Sequence, residues 1–346
     1  MTRPHNLKRA LALLLVLIAG LQSQVFAQKS RGKDSEAEAR PVIWRNPGNI
    51  RARDLRYGPG SYRLAPQAPF TFIEEDKSGE SPKFDVKDAR GITWRVKLGP
   101  EAQSETVATR LVWAVGYFAE EAYYFDRVQV LGLPKLSRGR EYVGRDTRMV
   151  YGARFEPRRE DVERGKAWEW NDNPFEKTRE LSGLKVLMIL LNNFDARAAN
   201  NRIFYVNNSS GVREARYTVS DLGATLGKAD GLGGRRTKNN LKDFLSTRFV
   251  TGTEDNGRTV EFDYDTRPTK LGMFSIFYPP YYRGEVKKEK NMRGIPTEHA
   301  RWIGSLLSQL TDEQLRDAFR AAGYNRPTMD GYVRALRQRI NQLTRL

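Results

Sequence analysis

Residues 191–206 read LNNFDARAANNRIFYV. One acid, Asp195, stands in a run holding four asparagines and two arginines, with an apolar helix-like stretch before it and a strand-like run after it. The strand signal RIFYV (202–206) is followed by the turn NNSSG and a second strand signal, ARYTVS (215–220), which together predict a β-hairpin. Antiparallel pairing lays the start of the first strand beside the end of the second. Asn200 and Asn201, just before the first strand, are therefore expected beside Asp221, just after the second, with Asp195 five residues before Asn200 in the preceding loop. Oxygen-bearing side chains brought together in this way suit Mg²⁺, which takes one or two carboxylates and completes its shell with water and substrate phosphates. Taken separately, the same residues are an asparagine-rich turn between a helix and a strand.

Upstream, FTFIEE, KFDVKD and ITWRVKLG (92–99) read as strands. In the last, Ile92, Trp94, Val96 and Leu98 alternate with Thr93, Arg95 and Lys97, the period-2 pattern of a half-buried strand. Pro100 then opens a helix expected to run to about residue 125, with Glu101 and Glu105 in its first turns and Glu105 at the edge of its apolar stripe. RVQVLGL and RMVYGARF read as two further strands, and the charged segment 156–166 as a connection. TRELSGLKVLMILLNN (178–193) is too apolar for a surface helix and predicts the core of a second unit. A glycine-rich basic segment follows Asp221, VEFDYD reads as a strand, and the chain closes on helices, one opened by the T-x-x-Q capping box at Thr311.

Phosphoryl transfer needs an acid that orients the attacking hydroxyl, an Asn and an Asp that hold metal, and a Lys that braces the phosphates and pairs with a helix Glu. Lys97 stands on the strand before a Glu-bearing helix, its expected partner Glu105 with Glu101 as the alternative. The loop DKSGESPK (76–83), with Ser78, Gly79 and Ser81, is placed to cover phosphates with backbone N–H groups. The order VKLG (Lys97), SETVATRL (Glu105), FDARAANN (Asp195, Asn200), hairpin, SDLG (Asp221) resembles the kinase-like superfamily over about residues 70–250, nearer its atypical branch of phosphoinositide, HipA-type and secretory-pathway kinases. The resemblance implies an α+β, two-lobed protein-kinase-like fold: a small β-rich lobe with one central helix over 43–156 and a larger, mostly helical lobe over 157–346 carrying the loop and hairpin 195–223. It also implies ATP or another nucleotide as donor, Mg²⁺ or Mn²⁺ as metal, Asp195 and Lys97 as catalytic residues, Lys97, Glu105, Ser78, Gly79 and Ser81 as donor-binding residues, and Asn200 and Asp221 as metal ligands, with Asn201 competing for the asparagine role. Position 95, where the family carries a small residue against the nucleotide base, is Arg.

Composition narrows the alternatives. No cysteine is present, which excludes disulfides and thiolate chemistry, and the two histidines, His5 and His299, leave no material for a His-based zinc site or a Ser-His-Asp triad. Residues 1–27 pair a basic start with the apolar run ALALLLVLIAGL and end on Val25 and Ala27, the pattern of a signal peptide cleaved after Ala27. The run is short for a membrane span, so the expectation is an exported chain, periplasmic or secreted, with no transmembrane span after cleavage and a flexible linker over 28–42. Loss of Arg3, Lys8 and Arg9 lowers the net charge from +17 to +14, which favours anionic envelope polymers or lipid headgroups as partners; no nucleic-acid-binding motif is present. A non-catalytic module that binds a nucleotide, a phosphorylated ligand or an envelope polyanion is the alternative function, and a purely structural envelope protein a third.

Overall fold

The computed structural model describes residues 39–79, 81–145, 148–159, 162–228, 236–264 and 279–346. The expected signal peptide, residues 28–38 of the expected linker, and part of the glycine-rich segment lie outside them.

Five strands close into a barrel in the order β2 (Phe70–Asp76), β3 (Lys83–Lys87), β4 (Thr93–Leu98), β6 (Met149–Pro157) and β5 (Tyr123–Leu131). The alternation read in the sequence decides which side chains fill it. Trp94, Val96 and Leu98 are buried with Phe70, Phe84, Val86, Val130 and Phe155, while Arg95 and Lys97 point from the other face of β4. Between β4 and β5 runs α1 (Pro100–Ala114), with Pro at its first position. The helix stops at Ala114 rather than near residue 125. Gly116 takes φ +100°, closed to most side chains, its missing Cβ would meet the Arg45 carbonyl, and the aromatic run Tyr123–Phe125 joins β5. The apolar stripe of α1, including Val107, Ala108, Leu111 and Val112, belongs to a larger core made with the helices that follow.

That core is built on α2 (Arg179–Leu190), whose Leu181, Leu184, Leu187 and Met188 are buried as its composition predicts. The hairpin forms as read: β8 (Asn201–Asn207) pairs antiparallel with β9 (Arg213–Val219), Asn201 opposite Val219. Two short strands extend it into a sheet of order β1–β9–β8–β7. β7 is Glu163–Arg164; β1, Arg40–Val42, pairs parallel with β9, so the last three residues of the expected linker are a strand. α3 (Leu241–Ser246), a three-stranded sheet of β10 (Val250–Glu254), β11 (Thr259–Phe262) and β12 (Ile295–Pro296), and α4 (Pro279–Asn291), α5 (Thr297–Leu307), α6 (Asp312–Arg320) and α7 (Arg326–Thr344) complete the described chain. The capping box at Thr311 and Gln314 is present. No described helix is long and apolar enough to cross a membrane.

Candidate active site

In the barrel wall, Lys97 on β4 lies directly opposite Arg154 on β6. Like charges opposed across two strands repel. Here an acid from α1 divides them: Glu105 accepts from Lys97 Nζ at 3.1 Å through Oε2, and its Oε1 pairs with Arg154 Nη2 at 3.2 Å. Glu105, expected at the edge of the buried stripe, is 1% exposed. Complete burial pushes its carboxyl up, against the pull of Arg154 and Lys97. Glu101, one turn earlier, lies nearer the lysine, Oε2 at 2.7 Å from Nζ. The two partners left open by the sequence are therefore both used. Burial alone would lower the Lys97 pKa, but Glu105, Asp221 and Glu101 outweigh it and hold the pKa above its ordinary value. Burial likewise works against the Glu101 carboxylate, yet Lys97 and Lys238 bring its pKa down to about 2.

Asp221 closes this cluster from the hairpin, its Oδ1 3.5 Å from Lys97 Nζ and accepting from the Gly223 N–H at 3.1 Å. The SDLG segment lies hard against α1. Ser104 Oγ donates to the Gly223 carbonyl at 2.8 Å, and a Cβ at Gly223 would sit 2.9 Å from the Glu101 Cβ. Lys238 reaches Glu101 Oε1 from the same side, and Asn239 Nδ2 donates to Gln103 Oε1 at 2.9 Å, so the first turn of α1 is tied to the hairpin side.

The opening stretch forms the facing wall. Asn193 caps the loop by accepting from the Asp195 N–H at 2.9 Å, and Phe194 packs on Ala224 beside its N–H bond to the Ala224 carbonyl. Asn200 joins the two acids. Its Nδ2 donates to Asp195 Oδ2 at 2.9 Å, and its carbonyl accepts from the backbone N–H groups of Ser220 and Asp221 at 2.8 and 3.3 Å. Asn201 turns the other way: it is fully buried and donates to the Trp168 carbonyl at 3.0 Å, so it does not share the role of Asn200. Asn200 ends a 3-10 turn, Ala198–Asn200, and Asn201 opens β8, which separates these neighbours.

Of the β2–β3 loop residues, Ser81 joins the cluster, its Oγ donating to Glu101 Oε2 at 2.7 Å. Ser78 and Gly79 hydrogen-bond no member of it. The Ser78 N–H is taken by Asp76, and the Ser78 and Gly79 carbonyls accept from Arg138. Arg95 is held by Asp76, at 2.5 Å, and by both oxygens of Asp85, at 2.8 and 3.1 Å. Alongside runs a cleft of about 930 Å³ between barrel and hairpin, its lining including Asp85, Phe118, Glu156, Phe204 and Arg216. Glu156 lies 2.8 Å from Arg154 of the cluster, but none of the predicted site residues lines this cleft. A groove of about 900 Å³ on the barrel, lined by residues within 133–148, holds none of the site residues.

Sequence reading missed Arg154, Lys238, Arg197 and Lys288. Arg154 alone left a signal, a charge flanked by core residues Ala153 and Phe155 and on the same strand face as Glu156. Arg197 Nη2 lies 2.9 Å from Asp195 Oδ2 and Lys288 Nζ 3.5 Å from Oδ1.

The residues present suit a hard cation with water and phosphate in its shell. The Asn200 amide nitrogen is turned to Asp195, leaving its oxygen free of hydrogen bonds among the described residues, and Asp221 is half-exposed with Oδ1 engaged and Oδ2 open. Among the described residues no three His, Cys, Asp or Glu side chains form a ready metal cage.

No protein family and no curated protein matches the sequence. A crystal structure of the Helicobacter pylori proinflammatory kinase CtkA aligns over 81% of this chain and 99% of its own at 12% identity, with a TM-score of 0.34; a likeness at that level carries no weight in the reading below.

Proposed function

We propose that this chain is an exported, atypical kinase-like phosphotransferase with a two-lobed fold. The barrel is its smaller lobe, and the donor phosphates are taken where Lys97 and Asp221 meet beside Asn200. The observation that carries the reading is the meeting of Lys97, Glu101, Glu105 and Asp221 from three elements, with Asn200 joining Asp221 to Asp195. Lys97, kept charged by its three acids, is suited to brace donor phosphates. Asn200 Oδ1 and Asp221 Oδ2 would hold Mg²⁺ or Mn²⁺, which supplies neutralisation of phosphate charge when bound. Asp195 would orient the acceptor hydroxyl. As the acceptor oxygen bonds to phosphorus, the bond from phosphorus to the donor's bridging oxygen breaks with its electron pair on that oxygen, and the hydroxyl proton passes to Asp195. Ser81 would act through Glu101, whereas Ser78 and Gly79 would reach a donor only after releasing Asp76 and Arg138.

The test is a screen of nucleotides with Mg²⁺ or Mn²⁺ on residues 28–346, read by melting temperature and by phosphoryl transfer. Saturation at 100 times Kd adds about 2.7 kcal/mol of stability. At about 2.1 cal/mol/K of unfolding entropy per residue, that is a rise of roughly 4 °C for a chain of this length. Asp195→Ala should keep the shift and lose transfer. Binding without transfer in the wild type assigns the chain to the non-catalytic alternative, and no shift with any nucleotide and metal sinks the kinase reading and the nucleotide-binding form of that alternative.

A further inference from the structure

α4 carries charge on its buried face. Glu285, Lys288 and Glu289 are 2%, 7% and 3% exposed, whereas the side chain of Lys287 on the same helix is 63% exposed. Buried charges are costly unless matched. Lys288 is matched on three sides: Glu285 Oε1 lies 2.8 Å from Nζ, the Phe194 carbonyl accepts at 3.3 Å, and Asp195 Oδ1 is 3.5 Å away. Residues three apart on a helix share a face, so Glu285 lies beside Lys288 and also pairs with Arg236, while Lys288 reaches the loop that holds Asp195. Tyr264 braces the same loop, its hydroxyl donating to the Asn193 carbonyl at 2.6 Å.

The two oxygens of Asp195 are treated unequally. Oδ2 is committed to Asn200 Nδ2 and to Arg197, each at 2.9 Å. Among the described residues, Oδ1 meets only the Lys288 ammonium, at a distance beyond a firm hydrogen bond. A carboxylate oxygen has lone pairs to spare. Oδ1 is thus the oxygen left for an acceptor hydroxyl, and the ammonium beside it fixes where it points.

We infer that Lys288 is a positioning residue for Asp195, holding Oδ1 in the orientation that receives the acceptor hydroxyl while Asn200 and Arg197 hold Oδ2. This rests on the phosphotransfer reading above. Lys288 is distant in sequence from every motif of that reading, and it makes no contact with Lys97 or Asp221.

The experiment measures ADP release from Mg²⁺·ATP by the mature chain, with kcat and KM separated, in wild type, Lys288→Met, Lys288→Arg and the double variant Lys288→Met/Glu285→Gln. Misplacing a reacting group by about 1 Å costs on the order of 10²-fold. Lys288→Met should lose a comparable factor in kcat with KM for ATP within about twofold, since Asp195 is misplaced for the acceptor while the donor contacts stay. Lys288→Arg should recover most of it. The double variant, which offsets the lost cation by removing the Glu285 charge and leaves Arg236 an amide oxygen, should stay slow even where its melting temperature recovers. Wild-type kcat in Lys288→Met, or slow turnover that follows a fall in melting temperature and returns to the wild-type value in the double variant, overturns the positioning role alone. No turnover in the wild type overturns both the role and the reading beneath it.

Discussion

Lys97 lies closer to Glu101, at 2.7 Å, than to Glu105, at 3.1 Å, and the two glutamates are not equivalent. Glu105 is sealed in and also satisfies Arg154, whereas Glu101 is shared with Lys238 and Ser81 near the surface of the cluster. Removing Glu105 would leave two buried cations facing each other. Loss of one member of a buried ion pair costs ~3–5 kcal/mol. Glu105→Ala should therefore lower the denaturation midpoint far more than Glu101→Ala, which should act mainly on Mg²⁺·nucleotide affinity. Equal midpoints would show that Glu156, already 2.8 Å from Arg154, suffices to hold that cation.

Glu101 also sets a pH dependence. Its pKa falls from 4.5 to about 2 on folding, because Lys97 and Lys238 overcome the cost of burial. A carboxylate with a depressed folded pKa contributes stability above its unfolded value and loses it as pH falls toward the folded one. Wild type should thus exceed Glu101→Gln in stability at pH 6, and the difference should narrow between pH 4.5 and pH 2. Urea midpoints for both proteins at pH 6 and pH 3 measure it; a gap that widens in acid would contradict the assignment.

Gly223 yields a steric prediction. A methyl group there would stand 2.8 Å from Glu101 Oε2 and 2.9 Å from Glu101 Cβ. Overpacking of this kind costs about 1–3 kcal/mol. Since the strain falls between α1 and SDLG, Gly223→Ala should both lower the melting temperature and weaken the Mg²⁺·nucleotide shift. Gly211→Ala, in the hairpin turn where a Cβ meets nothing within 4 Å, should spare the shift.

The sequence exposed those parts of the site that local pattern controls. Period-2 alternation placed Lys97 on the face of β4 opposite Trp94 and Val96, and hairpin geometry brought Asn200 to Asp221. The mixed helix-and-strand class followed from the same patterns, while the closure of five strands into a barrel did not. Lys238 and Lys288 were hidden because a lysine in a polar stretch reads as solvated; only tertiary packing turns Lys288 inward from a helix as charged as α4. The helix ending at Ala114 was missed because Gly116 breaks it through a contact with Arg45, far away in sequence. Edge strand β1 has no hydrophobic alternation of its own and exists by pairing with β9.

The adjacent asparagines separate structure from chemistry. Asn201 is fully buried, bonds the Trp168 carbonyl and leaves its own oxygen unpaired. Stripping the partner from a buried polar group costs about 1–3 kcal/mol. Asn201→Ala should therefore destabilise by an amount in that range while keeping the metal-dependent part of the nucleotide shift. Asn200 is half-buried, and its backbone carbonyl, which carries the link to Asp221, survives substitution. Asn200→Ala should melt close to the wild type yet lose the difference between nucleotide with and without Mg²⁺, as Asp221→Asn should. Asn200→Asp supplies a third point, restoring a metal-binding oxygen while setting a second negative charge against Asp195. It should regain the metal-dependent shift but not transfer. If Asn201→Ala, rather than Asn200→Ala, abolished the metal response, the assignment of the ligand pair would be wrong.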